Sequence, residues 1–461
     1  MMNQCFIRKL TLKNYRCFQE LTVSFHERLT VLVAPNGGGK TAILDGIAVA
    51  LRVFVDTVEG RTNSKGFDTR DIRLVVTPDN KMEPVTPVRL DAFGRFLGSE
   101  VLWARQRHSV ATARTTTAEA TSLKQIAAGL ARQNQEWVQQ NRAEVPLFPL
   151  ISYYGTGRLW SPSKLTKRKK TRELAPNARH RGYTDCLSSA SHYKYFVDWF
   201  RRFSYEARKV TPEQNDSPHE PKRTLSAVRT AVDIALAPSG WHGLEWDFAE
   251  DTIVAHHADF GRLPVDTLSD GIRNIIGLVA DIAHRTARLN PQLGENAGIE
   301  TPGIVLIDEV DMHLHPQWQQ VVLQSLERAF PLIQFIVTTH SPQVLTTVRR
   351  ENIRVFSCVE QGKWIASEPA TSPLGHESGD ALAQIMGTHP RPEIQELLPD
   401  LHAYEQLARA GRGDSAEARE VQKRLDAAGF EFSDAERALF DFLTSKGPEG
   451  DKPKVPEADK Q

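Results

Sequence analysis

The sequence predicts an α/β protein built on a mixed sheet with parallel strands. Three short apolar runs, at residues 29–34, 304–307 and 332–337, support this fold class. Each run ends in a polar or glycine-rich turn, as expected for a buried parallel strand whose carboxyl end opens on a ligand crevice. Stretches of helical pattern follow the first two runs, so the strands are predicted to connect through helices.

The first run leads into a turn with three consecutive glycines. Residues 34–41 read Ala-Pro-Asn-Gly-Gly-Gly-Lys-Thr, and a helical pattern begins at Lys40. Glycines leave backbone N–H groups free to point inward, and a helix amino end adds positive charge. The alternative is a plain glycine-rich turn, and Ala34 replaces the first glycine of the usual P-loop pattern. We predict a cradle for the phosphates of ATP made by Asn36, Gly37, Gly38, Gly39, Lys40 and Thr41.

Two carboxylates, Asp308 and Glu309, end the second run. We expect Lys40 to contact the β- and γ-phosphates, and Thr41 and Asp308 to hold Mg2+. Glu309 would orient and polarise the attacking water. A solvated acidic pair at the end of a strand is the alternative.

The third run ends in the hydroxyl-rich sequence Thr-Thr-His-Ser-Pro, which contains His340. A histidine at this place can hydrogen-bond a γ-phosphate or the attacking water. The alternative is a polar residue that merely ends a strand. We favour the functional role, because the histidine follows the carboxylate strand after one helix-length segment, residues 316–330.

A fourth motif, Leu-Ser-Asp-Gly-Ile-Arg-Asn at residues 268–274, precedes an apolar helical pattern over 275–287. Ser269, the N–H of Gly271 and the helix amino end would together form a second anion site. Taken alone, the motif is more typical of a helix N-cap and turn.

In this order and spacing, the four motifs resemble those of ABC-type ATPases over most of residues 3–370. Residues 7–18, including Asn14, Arg16 and Phe18, and residues 311–316 are similar to the branch with RecF-like, SMC-like and OLD-like DNA-associated enzymes. The resemblance implies an ABC-type P-loop ATPase head that uses ATP and Mg2+. It also implies a head-to-tail homodimer in which Ser269 contacts the γ-phosphate held by the other subunit.

One family element is not identified in this sequence, namely the glutamine that links Mg2+ to the helical lobe. The corresponding strand is predicted within residues 148–158, where Gly155 and Arg158 occupy the turn. Two roles stay open for Arg158: a contact to phosphate or to the opposite subunit, and a surface ion pair at the strand end.

Composition sets further bounds. The chain has 461 residues, too many for one core, and 57 basic residues balance 57 acidic ones, so nucleic-acid or membrane binding must be local. No apolar run approaches the length of a membrane span, and the four cysteines are isolated, which leads us to expect a soluble cytoplasmic protein. His313 and His315 lack further ligands nearby, so no zinc site is expected.

We predict five regions along the chain. Residues 1–158 and 263–370 form the two parts of the ATPase head, and 159–262 form an inserted helical lobe. An aromatic helix at 193–203 is expected to pack the core rather than to stack on bases. The basic segment 164–181 is either a solvated loop or a loop that contacts nucleic-acid phosphates. Residues 371–445 are a helical segment and 446–461 a disordered tail.

The carboxyl part decides between subfamilies. OLD-type nucleases follow the ATPase with a domain bearing metal-binding carboxylates, whereas no Asp-x-Asp follows a strand after residue 349. Residues 381–393, with Ala-Leu-Ala-Gln-Ile-Met-Gly and Arg-Pro-Glu, resemble the ATPase subunit of Septu-type antiphage systems, found alone or attached to retrons. That resemblance implies a separate HNH-type nuclease as partner, for which we expect residues 371–445 to be the docking segment. Higher oligomers, nucleic acid and a retron reverse transcriptase with its msDNA stay open as further partners.

Three functional hypotheses follow. The favoured one is an ATP-driven sensor and regulatory subunit of a defence complex, without nuclease activity of its own. The second is a RecF-like DNA repair or replication clamp without a nuclease partner. The third is an OLD-like ATPase with an unrecognised nuclease site.

Overall fold

The computed structural model describes residues 4–61, 66–112, 115–140, 145–157, 179–188, 193–209, 220–360, 362–388, 394 and 396–446. Its strands are β1 (Phe6–Tyr15), β2 (Phe18–Ser24), β3 (Leu29–Val33), β4 (Leu74–Val76), β5 (Met82–Pro84), β6 (Val88–Phe96), β7 (Ser99–Arg107), β8 (Leu150–Tyr154), β9 (His242–Asp247), β10 (Thr252–His257), β11 (Gly261–Pro264), β12 (Gly303–Ile307), β13 (Ile333–Thr338), β14 (Ile353–Glu360) and β15 (Lys363–Ser367). Its α-helices are α1 (Lys40–Val58), α2 (Thr121–Gln140), α3 (Tyr193–Arg208), α4 (Glu220–Leu236), α5 (Asp270–Leu289), α6 (Ala297–Glu300), α7 (Pro316–Gln319), α8 (Val322–Ala329), α9 (Pro342–Leu345), α10 (Ser378–Gln384), α11 (Leu398–Arg409), α12 (Ala416–Ala427) and α13 (Asp434–Lys446).

Ten strands form one mixed sheet in the order β7-β6-β1-β2-β15-β14-β3-β13-β12-β8. The strands from β14 to β8 run parallel, and β1, β2, β6 and β7 pair antiparallel. Every residue of β3, β8, β12 and β13 is buried, whereas β6 alternates between buried and half-buried residues. These patterns are typical of parallel strands covered on both faces and of antiparallel strands with one more accessible face. The predicted α/β fold class is confirmed.

A buried glutamine on β13 hydrogen-bonds the backbone of β1 and of the turn after β2. Gln334, the second residue of β13, is 1% exposed. Its side chain accepts a hydrogen bond from the N–H of Ile7 (2.9 Å) and donates to the carbonyls of Ile7 and His26 (2.8 Å each). Since the donors and the acceptor of the amide all have partners, this polar side chain is tolerated within an apolar core.

Helix α1 packs against the antiparallel strands. The rings of Phe54 and Phe96 lie 5.5 Å apart, and the indole N–H of Trp103 donates to the carbonyl of Ala50 at 3.0 Å. These contacts, to β6 and β7, fix the helix whose first turn ends the glycine-rich loop.

The region between the two parts of the head holds more than the predicted helices. The predicted aromatic helix is confirmed as α3, and its side chains Phe196, Trp199, Phe200 and Phe203 are buried, as predicted for core packing. A second helix, α4, follows in this region. A three-stranded sheet in the order β11-β10-β9 follows α4 and was not predicted. Its strands have six residues or fewer and contain three histidines and two glycines, which weakens the strand pattern. Arg158 and residues 164–178 of the basic segment lie outside the described residues.

Two other elements differ from expectation. The helix-length segment 316–330 is two helices, α7 and α8, separated by residues 320–321. Strand β7, which pairs with β6 along its whole length, was also not predicted. In the part of the chain that the structure describes, no helix is both long enough and apolar enough to cross a membrane.

The chain divides into two compact units, residues 1–388 and 389–461. Residues 371–388 therefore belong to the unit that contains the large sheet. Among the described residues, the second unit contains α11, α12 and α13, so the predicted helical segment is helical here. It has its own apolar core of Leu401, Leu407, Ala418, Val421, Leu425 and Phe432.

Candidate nucleotide-binding site

The glycine-rich loop adopts a conformation that other residues would strain. Gly37 and Gly39 have left-handed φ angles of 77° and 81°. A Cβ on Gly38 would lie 2.7 Å from Cβ of Ala34, and one on Gly39 would lie 2.3 Å from Cζ of Phe18. The three glycines therefore allow a tight turn between β3 and α1, packed against the residue that begins β2.

Lys40, the first residue of α1, lies inside this loop. Its Nζ donates hydrogen bonds to the carbonyl oxygens of Ala34 (2.7 Å) and Pro35 (3.4 Å), and the residue is only 7% exposed. Burial lowers the pKa of Lys40, while the nearby carboxylates of Asp308 and Glu309 act in the opposite direction. The two carbonyl oxygens are neutral acceptors. A phosphate group in the loop would give the Lys40 ammonium an anionic partner and therefore a stronger, charge-assisted hydrogen bond.

Hydrogen bonds connect the first turn of α1 with the ends of β12 and β13 at this edge of the sheet. The hydroxyl of Thr41 donates to Oδ2 of Asp308 at 2.8 Å, and the hydroxyl of Thr338 donates to Oδ1 of the same carboxylate at 2.6 Å. The oxygen of Thr338 also accepts a hydrogen bond of 2.7 Å from the backbone N–H of Glu309. Because β13 lies between β3 and β12, the predicted loop, acidic pair and histidine turn converge at one place.

Glu309 has a backbone conformation that is uncommon for a residue with a side chain. Its φ is 50°, in the left-handed region, and its side chain is half-buried. The conformation is held by the hydrogen bond to Thr338 and by a second one, 3.0 Å long, from the N–H of Val310 to the carbonyl of Thr338. Such conformations cluster at functional sites, where the surrounding structure maintains them.

His340 lies in the turn after β13, two residues beyond Thr338. Thr339 donates a hydrogen bond of 2.5 Å to Asp311, and Ser341 caps α9 by accepting from the N–H of Val344 at 3.2 Å. His340 lies between these two anchored residues and is half-buried. The hydrogen bonds of its two neighbours therefore fix the backbone position of His340.

The predicted second anion motif lies at the amino end of α5. Ser269 is the N-cap residue, is exposed, and makes no capping hydrogen bond through its side chain. Gly271 is buried, and a Cβ there would lie 2.8 Å from the carbonyl oxygen of His313. The structure thus packs this motif against the residues that follow the acidic pair and leaves the serine at the surface.

Sequence reasoning missed a buried polar network behind the site. The hydroxyl of Tyr154, the last residue of β8, donates to Oδ2 of Asp281 at 2.7 Å, and Nε of Arg285 donates to the same oxygen at 2.7 Å. The carbonyl of Tyr154 accepts from the N–H of Asp308 at 2.8 Å. An aspartate and an arginine four residues apart on the apolar face of α5 were the signal that could have revealed it.

Comparison with known proteins identifies relatives of the whole chain. A family model described as "AAA domain" matches residues 9–194, and one described as "AAA domain, putative AbiEii toxin, Type IV TA system" matches residues 166–346. The Retron Vc95 probable ATPase of Vibrio cholerae serotype O1 biovar El Tor is 27% identical over 462 residues, which cover 90% of this chain and 86% of that protein. The Retron Ec83 probable ATPase of Escherichia coli is 24% identical over 475 residues, which cover 92% of this chain and 83% of that protein. The chain is a homologue of the retron-associated ATPases.

The chain is also similar to a Septu protein. The Septu protein PtuA of Bacillus mycoides (strain KBAB4) is 44% identical over 135 residues, which cover 29% of this chain and 18% of that protein. The resemblance to Septu-type and retron-associated ATPases is therefore confirmed. The AAA-domain matches and the sheet order agree with an ABC-type P-loop ATPase head.

Proposed function

We propose that this chain binds and hydrolyses ATP as the sensor and regulatory subunit of an antiphage defence complex, in which it controls a separate HNH-type nuclease. The observation that carries the proposal is the hydrogen-bonded set Thr41, Asp308, Thr338 and Glu309 at the mouth of the glycine-rich loop. Its presence in a homologue of retron-associated and Septu proteins supports the defence context.

In this proposal the loop binds the phosphates of ATP. Backbone N–H groups of the loop from Asn36 to Gly39, and the amino end of α1, would donate to the phosphate oxygens. Lys40 would exchange its bonds to the carbonyls of Ala34 and Pro35 for charge-assisted bonds to phosphate.

The oxygen donors at this site fit Mg2+. Oγ1 of Thr41 and Oδ2 of Asp308 lie 2.8 Å apart at the loop, and hydroxyl and carboxylate oxygens are ligands that Mg2+ accepts together with substrate phosphates. Thr41 and Asp308 would hold the ion, which supplies neutralisation of charge on the transferred phosphoryl group. Thr338 would keep the Asp308 carboxylate in place through its hydrogen bond of 2.6 Å.

Glu309 is the proposed catalytic carboxylate. Its fixed left-handed backbone directs the side chain from the same strand end that bears Asp308. The carboxylate would accept a hydrogen bond from the attacking water and polarise it, and His340 would hydrogen-bond the γ-phosphate or that water. The two side chains follow adjacent parallel strands, β12 and β13.

We further propose that a head-to-tail homodimer completes the site. Ser269 and the N–H of Gly271 would contact the γ-phosphate bound by the partner subunit. The exposure of Ser269, at the amino end of a 20-residue helix, supports a contact outside its own chain.

The three-helix unit is the proposed docking site for the nuclease. On α13, Phe440 packs on Phe432 in the core, whereas Leu439 and Phe442 are each 53% exposed. Exposed apolar side chains three residues apart form a stripe on one helix face, which suits a protein partner.

The experiment is purification of the tagged chain from cells that express its genomic neighbours, followed by assays of DNA cleavage. We expect an HNH-type nuclease to copurify, the complex to cleave DNA, and the isolated chain to leave DNA intact with Mg2+ or Mn2+. Robust cleavage by the isolated chain, retained in Lys40→Ala and Glu309→Gln, would contradict the proposal and favour a self-contained nuclease.

A further inference from the structure

A cavity of about 380 Å³ lies between α3, α5 and the short helical turn Arg179–Tyr183. None of the residues proposed above to bind ATP or Mg2+ lines it. Its volume is in the range of pockets that bind small molecules. Arg181, the last residue of the basic segment, is part of its wall.

The cavity wall carries excess positive charge. It contains the arginines at positions 181, 202, 285 and 288 against three aspartates. Arg285 and Asp281 form a buried ion pair of 2.7 Å, and Arg285 also donates to the carbonyl of Gly182 at 2.8 Å. Arg202, on α3 across the cavity from Arg285 and Arg288 of α5, is largely exposed and contacts Glu206 at 3.4 Å. Guanidinium groups on both walls favour an anion, and their planar geometry suits phosphate.

An aromatic stack forms another part of the wall. The rings of Trp199 and His284 are nearly parallel, 4.0 Å apart with an interplanar angle of 11°, and Phe203 packs edge-on to Trp199. Burial lowers the pKa of His284 to about 3, so this ring is neutral at pH 7. Such a surface suits a planar ring system of a ligand.

One lining residue, Trp199, also carries a buried donor that has no accessible surface toward the cavity. Trp199 is 9% exposed, and its indole Nε1 has no hydrogen-bond partner among the residues that the structure describes. Since this nitrogen itself has almost no accessible surface, a ligand in the cavity would contact the ring of Trp199 and not its N–H.

We propose that this cavity binds a nucleoside monophosphate unit, with its base against the aromatic stack and its phosphate among Arg181, Arg202 and Arg288. A base offers a π surface to the aromatic side chains of the wall, and a phosphate matches the arginines. A free nucleotide and the 5′-phosphorylated end of a single strand share this chemistry.

The cavity is also connected to the proposed ATP site. Asp281, in its wall, accepts the hydrogen bond from Tyr154, whose carbonyl holds the backbone of Asp308. Binding in the cavity does not itself depend on ATP hydrolysis, so it can be tested where the ATP site is disabled.

The test is isothermal titration calorimetry with the full chain carrying Lys40→Ala, using AMP, adenosine, inorganic phosphate and a 5′-phosphorylated single-stranded pentanucleotide. We expect AMP or the pentanucleotide to bind more tightly than adenosine or phosphate. Adding Trp199→Phe or Arg288→Gln should weaken that binding about tenfold or more. Tighter binding of AMP identifies a free nucleotide, and tighter binding of the pentanucleotide identifies a strand end.

Matched controls lie outside the cavity. Trp246→Phe removes another buried indole N–H without a partner, and Arg208→Gln removes an exposed arginine of α3. Both should leave the affinity unchanged. The proposal is wrong if Lys40→Ala binds neither nucleotide at millimolar concentration, if phosphate binds as tightly as AMP, or if folded Trp199→Phe and Arg288→Gln retain full affinity. If Trp199→Phe strongly lowers the melting temperature, the nucleotide affinity of Arg288→Gln is the deciding measurement.

Discussion

Thr338 donates a hydrogen bond of 2.6 Å to the carboxylate of Asp308, although it lies on the neighbouring strand and 30 residues later. The same hydroxyl oxygen accepts the backbone N–H of Glu309 at 2.7 Å. One buried side chain thus fixes both members of the acidic pair, and an apolar strand residue without a hydroxyl could not do so.

Thr338→Val, which keeps the shape of the side chain, is therefore predicted to impair hydrolysis more than binding. It leaves a buried carboxylate oxygen and the N–H of Glu309 without their partner, a cost of about 1–3 kcal/mol per group. We expect a lower kcat and a lower melting temperature, with a smaller change in ATP affinity. Thr347→Val, which removes a hydroxyl that donates to the carbonyl of Val344 in α9 at 2.8 Å, serves as the control. An unchanged kcat in Thr338→Val would contradict this role.

Lys40→Ala is predicted to remove most ATP binding while the fold is retained. Charge-assisted bonds from Lys40 to phosphate contribute about 1.5–3 kcal/mol each, so the affinity should fall by one to two orders of magnitude or more. Calorimetry gives the affinity and circular dichroism the folded state. The exposed Lys363 on β15 provides the control Lys363→Ala. If folded Lys40→Ala binds ATP as tightly as the wild type, the assignment of the phosphate cradle is wrong.

Ser269 and Gly271 are predicted to act on the nucleotide of the partner subunit. Lys40→Ala and Ser269→Ala should each abolish hydrolysis alone, whereas a mixture should regain activity, because each mixed dimer has one site with both residues intact. Random exchange would restore roughly a quarter of the wild-type sites. Proven mixed dimers that remain inactive would exclude this geometry.

The exposed stripe on α13 is predicted to bind the nuclease subunit. Leu439→Asp with Phe442→Asp, and deletion of residues 394–445, should each abolish copurification of the nuclease, because a charge or a gap replaces the apolar contact. ATP binding should survive, since the three helices have their own core. Arg419→Asp on α12 is the surface control. Copurification undiminished by the deletion would place the docking surface elsewhere.

Much of the fold and of the candidate site could be predicted from the sequence. The loop at residues 34–41 and the strand ends at Asp308 and His340 were recognisable because continuous apolar runs, glycines and polar turns mark buried parallel strands locally. Their convergence at one edge of the sheet followed from the parallel arrangement.

The rest depends on contacts between distant residues. The role of Thr338 and the link from Tyr154 to Asp281 join elements 30 and 127 residues apart, which no local pattern reveals. The sheet β9–β11 and strand β7 have polar or irregular sequences, and pairing with neighbours stabilises them.

The central claim, that Glu309 makes this chain an ATPase, is tested most directly by single-turnover hydrolysis of ATP with Mg2+ by wild type and Glu309→Gln. The amide keeps the size of the side chain but loses the charge that polarises the water. We predict unchanged ATP affinity, an accumulated ATP-bound dimer, and a hydrolysis rate lower by about 10²–10⁴-fold. Hydrolysis by Glu309→Gln at the wild-type rate would contradict the account.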